Sequence, residues 1–248
     1  MKRNHELIYS EAMGRRMNVW CYGHWGTPLL VFPSAAGMAH EWDMQGMLET
    51  LAPLIYGGKL KLYCPESNVS KAWTDKEQHP AIRIKAHVAY ERFIMEDMVP
   101  AIRKDCNSDS IKISVSGVSL GAFYAANFAL KHSDVFNYAL CMSGRYLATH
   151  FTGGYSNDEI YFNNPIAYVS NMHGDELEKV RKNTHLTLVV GRGRFEEGCT
   201  EETETLANIL RHKGISHHHD LWGHDVSHDW IWWRRQALMH LNHRFRNA

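Results

Sequence analysis

The chain has no excess charge of either sign: 27 Lys and Arg stand against 27 Asp and Glu in 248 residues. A nucleic-acid binder usually presents a basic face, and an anionic membrane surface selects polybasic segments, so neither partner is expected. No internal repeat, low-complexity tract or Pro/Gly/Ser-rich linker divides the chain, which reads as a single domain over residues 1–248. Cysteine is sparse and odd in number (Cys21, Cys64, Cys106, Cys141, Cys199), with no CxxC pair. Free buried thiols in a reducing compartment are the simplest account. The opening MKRNHELIYSE has early cations but no apolar stretch behind them, so no secretory signal is expected and a cytoplasmic, soluble protein is. One uncharged run of membrane length, Ile113 to Leu130, holds three serines, Asn127 and two glycines. Its first half alternates as a strand does, which predicts a buried strand, turn and helix instead of a span.

What is present is a large apolar fraction, 44%, with 11% aromatic residues, which excludes a disordered chain. Residues 5–10 and 15–22 alternate apolar and polar, as half-buried antiparallel strands do. Short apolar runs then follow at Leu29–Phe32, Leu60–Cys64, Ile111–Val115, Tyr138–Met142 and Leu186–Val190, with a last strand near HHHDLW. They read as strands buried on both faces. Helical stretches lie between them: Met44–Ile55, Ala86–Arg103, Leu120–Lys131, Glu201–His212, and from Trp230 onward. This alternation predicts an α/β fold, a mostly parallel central sheet with an antiparallel N-terminal edge and helices on both faces. The rhythm breaks over residues 145–183, a loop-rich, aromatic excursion expected to form a lid or pocket wall, with Thr152–Pro165 shaping selectivity.

Gly117-Val118-Ser119-Leu120-Gly121 falls directly between the strand IKISV and the helix LGAFYAANFALKH. GxSxG alone is weak, but this context meets the mechanical needs of a strand-to-helix nucleophile turn. The serine there takes a strained backbone, flanked by positions where bulk would clash, at the positive end of the following helix. A hydroxyl needs a base to take its proton and an acid to orient that base, and for a turn of this kind both follow in the chain. The loop after the last strand offers His224 and His228. The loop after THLTLVV offers Glu196 and Glu197 as its first acids. The oxyanion requires two N–H donors: Leu120, and Ala35 or Ala36 in the small-residue loop after the third strand.

These residues resemble the α/β-hydrolase superfamily, and within it the esterase branch that includes the antigen-85-type and esterase-D-type proteins. The resemblance spans nearly the whole chain and rests on VFPSAAG with EWD, YCPES, YER, SGVSLGAFYAANFALKHSDVF, CMSGRY, VVGRGRFEE and WGHDVSHDWIWWR. It implies carboxylic-ester hydrolysis with Ser119 as nucleophile. The His-x-Trp-x-x-Trp motif falls on His228, Trp230 and Trp233, which implies His228 as base. The Gly-x-Gly-x-Trp-Glu loop falls on Gly191 to Phe195-Glu196, which implies Glu196 as acid; Arg194 stands where many hydrolases carry Asp. A small-molecule ester is then the partner and no cofactor is needed. An exposed aromatic lid could support a homodimer. Acyl transfer to an alcohol or sugar by the same residues, and a non-catalytic binding module on the same fold, are the alternatives. A metal-dependent hydrolase ranks third.

Trp42, Arg145 and Tyr146 lie next to the presumed oxyanion loop or a strand end and are expected at the substrate pocket. The run His217-His218-His219 predicts adventitious nickel or zinc affinity and no functional metal site, because alternate histidines of a strand face opposite sides. Trp230 and Trp233, with Ala237, Leu238 and Leu241, form a stripe at helical spacing and are expected to pack the last helix. The two candidate bases are separable by mutation. His228→Ala is expected to lower ester turnover by several orders of magnitude and His224→Ala to leave it near wild type; the reverse ranking in steady-state assays would move the base.

Overall fold

The computed structural model describes residues 1–246. Eight strands form one sheet in the order β1-β2-β4-β3-β5-β6-β7-β8. β1 (Arg3–Ser10) pairs antiparallel with β2 (Arg15–Tyr22), and β2 pairs antiparallel with β4 (Leu60–Pro65). From there the ladder is parallel through β3 (Thr27–Phe32), β5 (Ile113–Val118), β6 (Phe136–Met142), β7 (His185–Val190) and β8 (His217–Leu221). This is the mostly parallel sheet with an antiparallel N-terminal edge and helices on both faces that the alternation predicts. Among the described residues no helix is long and apolar enough to cross a membrane, and Ile113–Leu130 is a strand, a turn and a helix.

Both faces of the central strands are buried. Leu30 and Phe32 of β3 join one core cluster, whereas Leu29 and Val31 join the other. The first face is covered by α4 (Pro80–Arg92), α5 (Val99–Asp105) and α6 (Leu120–Lys131), then α8 (Pro165–Asn171), α9 (Gly174–Asn183) and α10 (Cys199–His212). Short helices α1 (Glu41–Met44), α2 (Met47–Thr50) and α3 (Ala52–Tyr56) cover the second face with α11 (Trp230–Phe245). α6 is buried on every side from Leu120 to Leu130, as its uniformly apolar sequence requires.

The single helix expected over Met44–Ile55 is three short ones, because Gly46 adopts a left-handed φ of 70° and breaks the first turn from the second. The helix expected to start at Ala86 starts at Pro80, whose missing N–H suits the first turn. Before Val99 it widens into a π-helical stretch, Phe93–Met98. Pro100 lies just beyond and cannot donate to the carbonyl of Glu96, so the ladder shifts its register there. The strand placed at Ile111–Val115 runs instead from Ile113 to Val118, up to the serine.

The 145–183 excursion contains the three-residue turn Ala148–His150, α7 (Asp158–Tyr161), α8 and α9, and is tied down by polar contacts. Arg83, buried, donates to the carbonyl oxygens of Ala72 (2.8 Å), Trp73 (2.5 Å) and Phe151 (2.8 Å). Asn163 Oδ1 sits among His87 Nε2 (3.0 Å), Asn127 Nδ2 (2.9 Å) and Lys131 Nζ (2.9 Å). Burial pushes His87 down to about 4 and keeps it neutral. Trp73 Nε1 donates to its Nδ1 at 3.0 Å, so the proton sits on Nε2 and is donated to Asn163.

Lys131 and His132 both grip Glu91, each at 2.7 Å. Burial alone would raise Glu91, but the His132 hydrogen bond and the Lys131 charge bring it down to about 2, from 4.5. A carboxyl depressed on folding contributes stability above its unfolded value, and that contribution fades as pH falls through the folded one. Glu91→Gln is therefore expected to cost about 1–3 kcal/mol at neutral pH. In urea unfolding the gap between variant and wild type should close between pH 4.5 and about 2. A gap that does not change with pH would refute the role.

Candidate active site

Ser119 joins β5 to α6 with φ 55° and ψ −121°, a conformation L-residues rarely occupy. Its N–H extends the sheet by bonding Met142 O at 2.8 Å, and its carbonyl accepts from Ala122 N at 3.0 Å. The flanking glycines are obligatory. A Cβ on Gly117 would lie 2.2 Å from the Gly121 carbonyl carbon, and one on Gly121 would lie 2.4 Å from Phe32 O and 2.8 Å from Pro33 O. Packing at that distance brings the start of α6 against the loop after β3.

His228 faces the serine: its Nε2 lies 2.9 Å from Ser119 Oγ and its Nδ1 3.2 Å from Glu196 Oε2. Glu196 is 1% exposed, whereas Glu197 is exposed. His224 is exposed as well and makes no hydrogen bond with Ser119. The acid loop and the histidine loop interlock. Gly193 N donates to Val226 O at 2.8 Å, and His228 N donates to Arg194 O at 3.0 Å. A Cβ on Gly191 would stand 2.2 Å from Val226 O, so only glycine lets the loops meet. The spacing alone did not favour either histidine or either glutamate, because this docking is tertiary.

Two further residues belong to the site and went unnoticed in the sequence. Ser143, at the end of β6 with φ 53°, donates its hydroxyl to Glu196 Oε1 at 2.5 Å and accepts from Trp233 Nε1 at 2.9 Å. Trp233 also meets the His228 ring edge-on at 4.8 Å. The packing expected of Trp233 is therefore accompanied by a polar task. The only sequence signal for Ser143 was its place at a strand end, in CMSGRY. Glu41, buried, is the second: its Oε2 accepts from Ser34 N at 2.7 Å and its Oε1 from the Ser34 hydroxyl. Burial raises this carboxyl, against the lowering effect of those two bonds.

Ser34 Oγ in turn accepts from Ala36 N at 3.3 Å. Of the two candidate oxyanion donors, Ala36 is thus engaged within its own turn. The N–H groups of Ala35 and Leu120 make no hydrogen bond among the described residues.

The three expected pocket residues are placed elsewhere. Trp42 is 1% exposed and packs in the core against α2 and α11. Tyr146 is fully buried under Gly144. Arg145 is drawn to Glu202 Oε1 at 2.6 Å, and the same carboxylate takes the N–H groups of Tyr146 (2.6 Å) and Leu147 (2.7 Å). Aromatic and cationic residues at strand ends serve folding here. The large cavity lies on the other side of the oxyanion loop. It measures about 770 Å³ and is lined by Ala36, Gly37 and Met38 of that loop, by Met13 and Trp20 of the N-terminal hairpin, and by Lys71.

A hydroxyl, an imidazole and a buried carboxylate in this chain of contacts can move a proton from oxygen to nitrogen while the carboxylate balances the imidazolium. The sequence model of the family "Putative esterase" matches residues 10–243. No curated protein matches the sequence. Among solved structures, the chain is similar to a ferulic acid esterase, with 17% identity, TM-score 0.74, and 99% of this chain and 98% of that one covered. It is also similar to an S-formylglutathione hydrolase from Agrobacterium tumefaciens (13%, TM-score 0.73, 98% and 94% covered). A third likeness is to fluorophosphonate-binding serine hydrolase F of Staphylococcus aureus (12%, TM-score 0.65, 97% of each).

Removing the Ser143 hydroxyl leaves a buried carboxylate oxygen short of its donor, a loss of about 1.5–3 kcal/mol for a charged acceptor. Ser143→Ala is expected to lower kcat about tenfold to a hundredfold with KM little changed. Unaltered kcat in a folded variant would remove Ser143 from the site.

Proposed function

This chain belongs to the Putative esterase family and is a serine hydrolase of carboxylic esters, and from that premise we propose that the reaction runs through an acyl-enzyme on Ser119. The observation that carries the reading is His228 standing between Ser119 Oγ and Glu196, at 2.9 and 3.2 Å. Ser119 Oγ attacks the ester carbonyl carbon as its proton passes to His228 Nε2. Glu196 accepts from Nδ1–H, fixing the tautomer and stabilising the imidazolium. The N–H groups of Leu120 and Ala35 receive the oxyanion. On collapse the bond to the alkoxy oxygen breaks, and His228 hands the proton to the departing alcohol. Water then attacks the acyl group, His228 takes its proton, and the acid leaves as Ser119 is restored.

A short-chain or small aromatic ester suits the cavity beside the oxyanion loop. Its volume lies in the range of small-molecule sites, and Trp20, Met13 and Met38 offer aromatic and apolar walls. The likeness to a protein named a ferulic acid esterase favours the aromatic option. Residues 145–183 do not line this cavity and act in this reading as a fixed segment and not as a lid. The polar ties of Arg83, Asn163 and Glu202 are the support.

Intact-mass labelling with a fluorophosphonate is the test. One adduct on wild type and none on Ser119→Ala is expected. Glu196→Gln should slow both labelling and ester turnover by about 10²–10⁴-fold through loss of tautomer control. No adduct on folded wild type would favour a non-catalytic module instead.

A further inference from the structure

β8 carries three consecutive histidines, and alternation sends His217 and His219 to one face and His218 with Asp220 to the other. That second face meets α11, where His240 is 9% exposed. His240 Nε2 lies 2.9 Å from Asp220 Oδ2, and the His218 and His240 rings sit 5.8 Å apart at 53°. One ligand atom from each of His218, Asp220 and His240 lies within 4.8 Å of the other two. We propose that these three residues form a site for a divalent zinc-like cation, clasping the last strand to the last helix.

Two imidazoles and a carboxylate are a donor set that zinc accepts, with a fourth position left for water or another ligand. Tetrahedral zinc with bonds near 2.0–2.1 Å sets its ligand atoms about 3.3 Å apart, so small side-chain rotations complete the geometry. Trp222 Nε1 donates to Asp220 Oδ2 at 2.8 Å and holds the carboxylate from behind, as outer donors do for metal-bound acids. A cavity of about 580 Å³ adjoins the trio, and His185 and His243 on its wall are further imidazoles within the same space. The one guanidinium there, Arg244, lies over the Tyr138 ring at 5.0 Å. The acid the histidine run lacked as a sequence motif is thus two residues along the strand, and its third ligand comes from α11. The loop between β8 and α11 carries His228, so the ion would tie together the two elements that flank that loop without entering the reaction.

Two other zinc traps exist. One is the histidine run itself; the other is the set Glu196, Cys199 and His228, whose ligand atoms are equally close. Chelator-stripped full-length protein titrated with zinc against a chromophoric chelator separates them. Wild type is expected to bind one tight equivalent, and zinc should raise its Tm. His217→Ala, His219→Ala and His228→Ala should keep that affinity, whereas Asp220→Asn and His240→Ala should each weaken it by at least about tenfold, the least that even outer-shell losses cost. Asn keeps the shape of Asp220 and an acceptor for Trp222, so a loss there reports the ligand and not the fold. The proposal is overturned by absence of a tight equivalent in wild type. Binding that survives Asp220→Asn, or that falls with the control histidines instead, would overturn it too.

Discussion

Everything at the serine depends on one close backbone contact, between the start of α6 and the loop that follows β3. A Cβ on Gly121 would stand only 2.4 Å from Phe32 O, so the helix and the loop touch without an intervening side chain. That contact sets the start of α6, with Leu120, beside the loop that carries Ala35, the two proposed oxyanion donors. A single methyl group would force them apart, and an oxyanion would lose one of its two donors. The strain of a left-handed serine is held by the same packing. Ser119 cannot relax, because its N–H is in the sheet and its carbonyl is in the helix.

Burial of two carboxylates is the second constraint. An isolated ionised group is costly away from water, so each must be supplied with donors. Glu196 has the Ser143 hydroxyl and the His228 ring, and Ser143 can spend its single proton on Glu196 because Trp233 supplies its own donor in return. Donors therefore converge on the acid from both sides, from α11 through Ser143 and from Ser119 through His228. Glu41 does the corresponding task on the opposite side: by taking both the N–H and the hydroxyl of Ser34, it leaves a lone pair of Ser34 Oγ for the N–H of Ala36. The acid on one side orients the base, and the acid on the other shapes the oxyanion loop.

The strands and the nucleophile turn were legible because their causes are local. The unbroken apolar runs of β3 and β6 follow directly from burial on both core faces, and Ser119 is marked by glycines whose reason is steric. The choice of His228 over His224 was not legible from spacing. His228 is brought to Ser119 by Gly191 and Gly193 seating against Val226, a contact between segments more than thirty residues apart, and only the Trp230–Trp233 motif distinguished the two histidines. Glu196 is set apart from Glu197 by burial and by its bonds to Ser143 and His228, which no neighbouring residue in the sequence reveals. Trp42 and Tyr146 illustrate the reverse error. Large aromatics at strand ends suit a pocket wall and a core equally well, and here the core took both. The break at Gly46 and the π-helical stretch before Pro100 were signalled by residues in plain view, but helical periodicity across them was the stronger pattern.

The sheet order explains why chemistry and recognition occupy different elements. β3 lies between β4 and β5, so the chain leaves it first toward one edge and then toward the other, and the crevice opens where those directions part. Ser119, Ser143 and the loop bearing Glu196 follow the ends of three consecutive parallel strands. The ladder bonds Ser119 N to Met142 O and Ser143 N to Val189 O carry the register into the site itself. The reacting groups inherit the rigidity of the most buried strands. The large cavity is built differently, from the antiparallel hairpin at the sheet edge, the 66–71 segment and residues 36–40 of the loop after β3. Under the proposed reading, substitutions at that edge would alter the ester accepted while the Ser119–His228–Glu196 contacts stay anchored at the centre of the sheet.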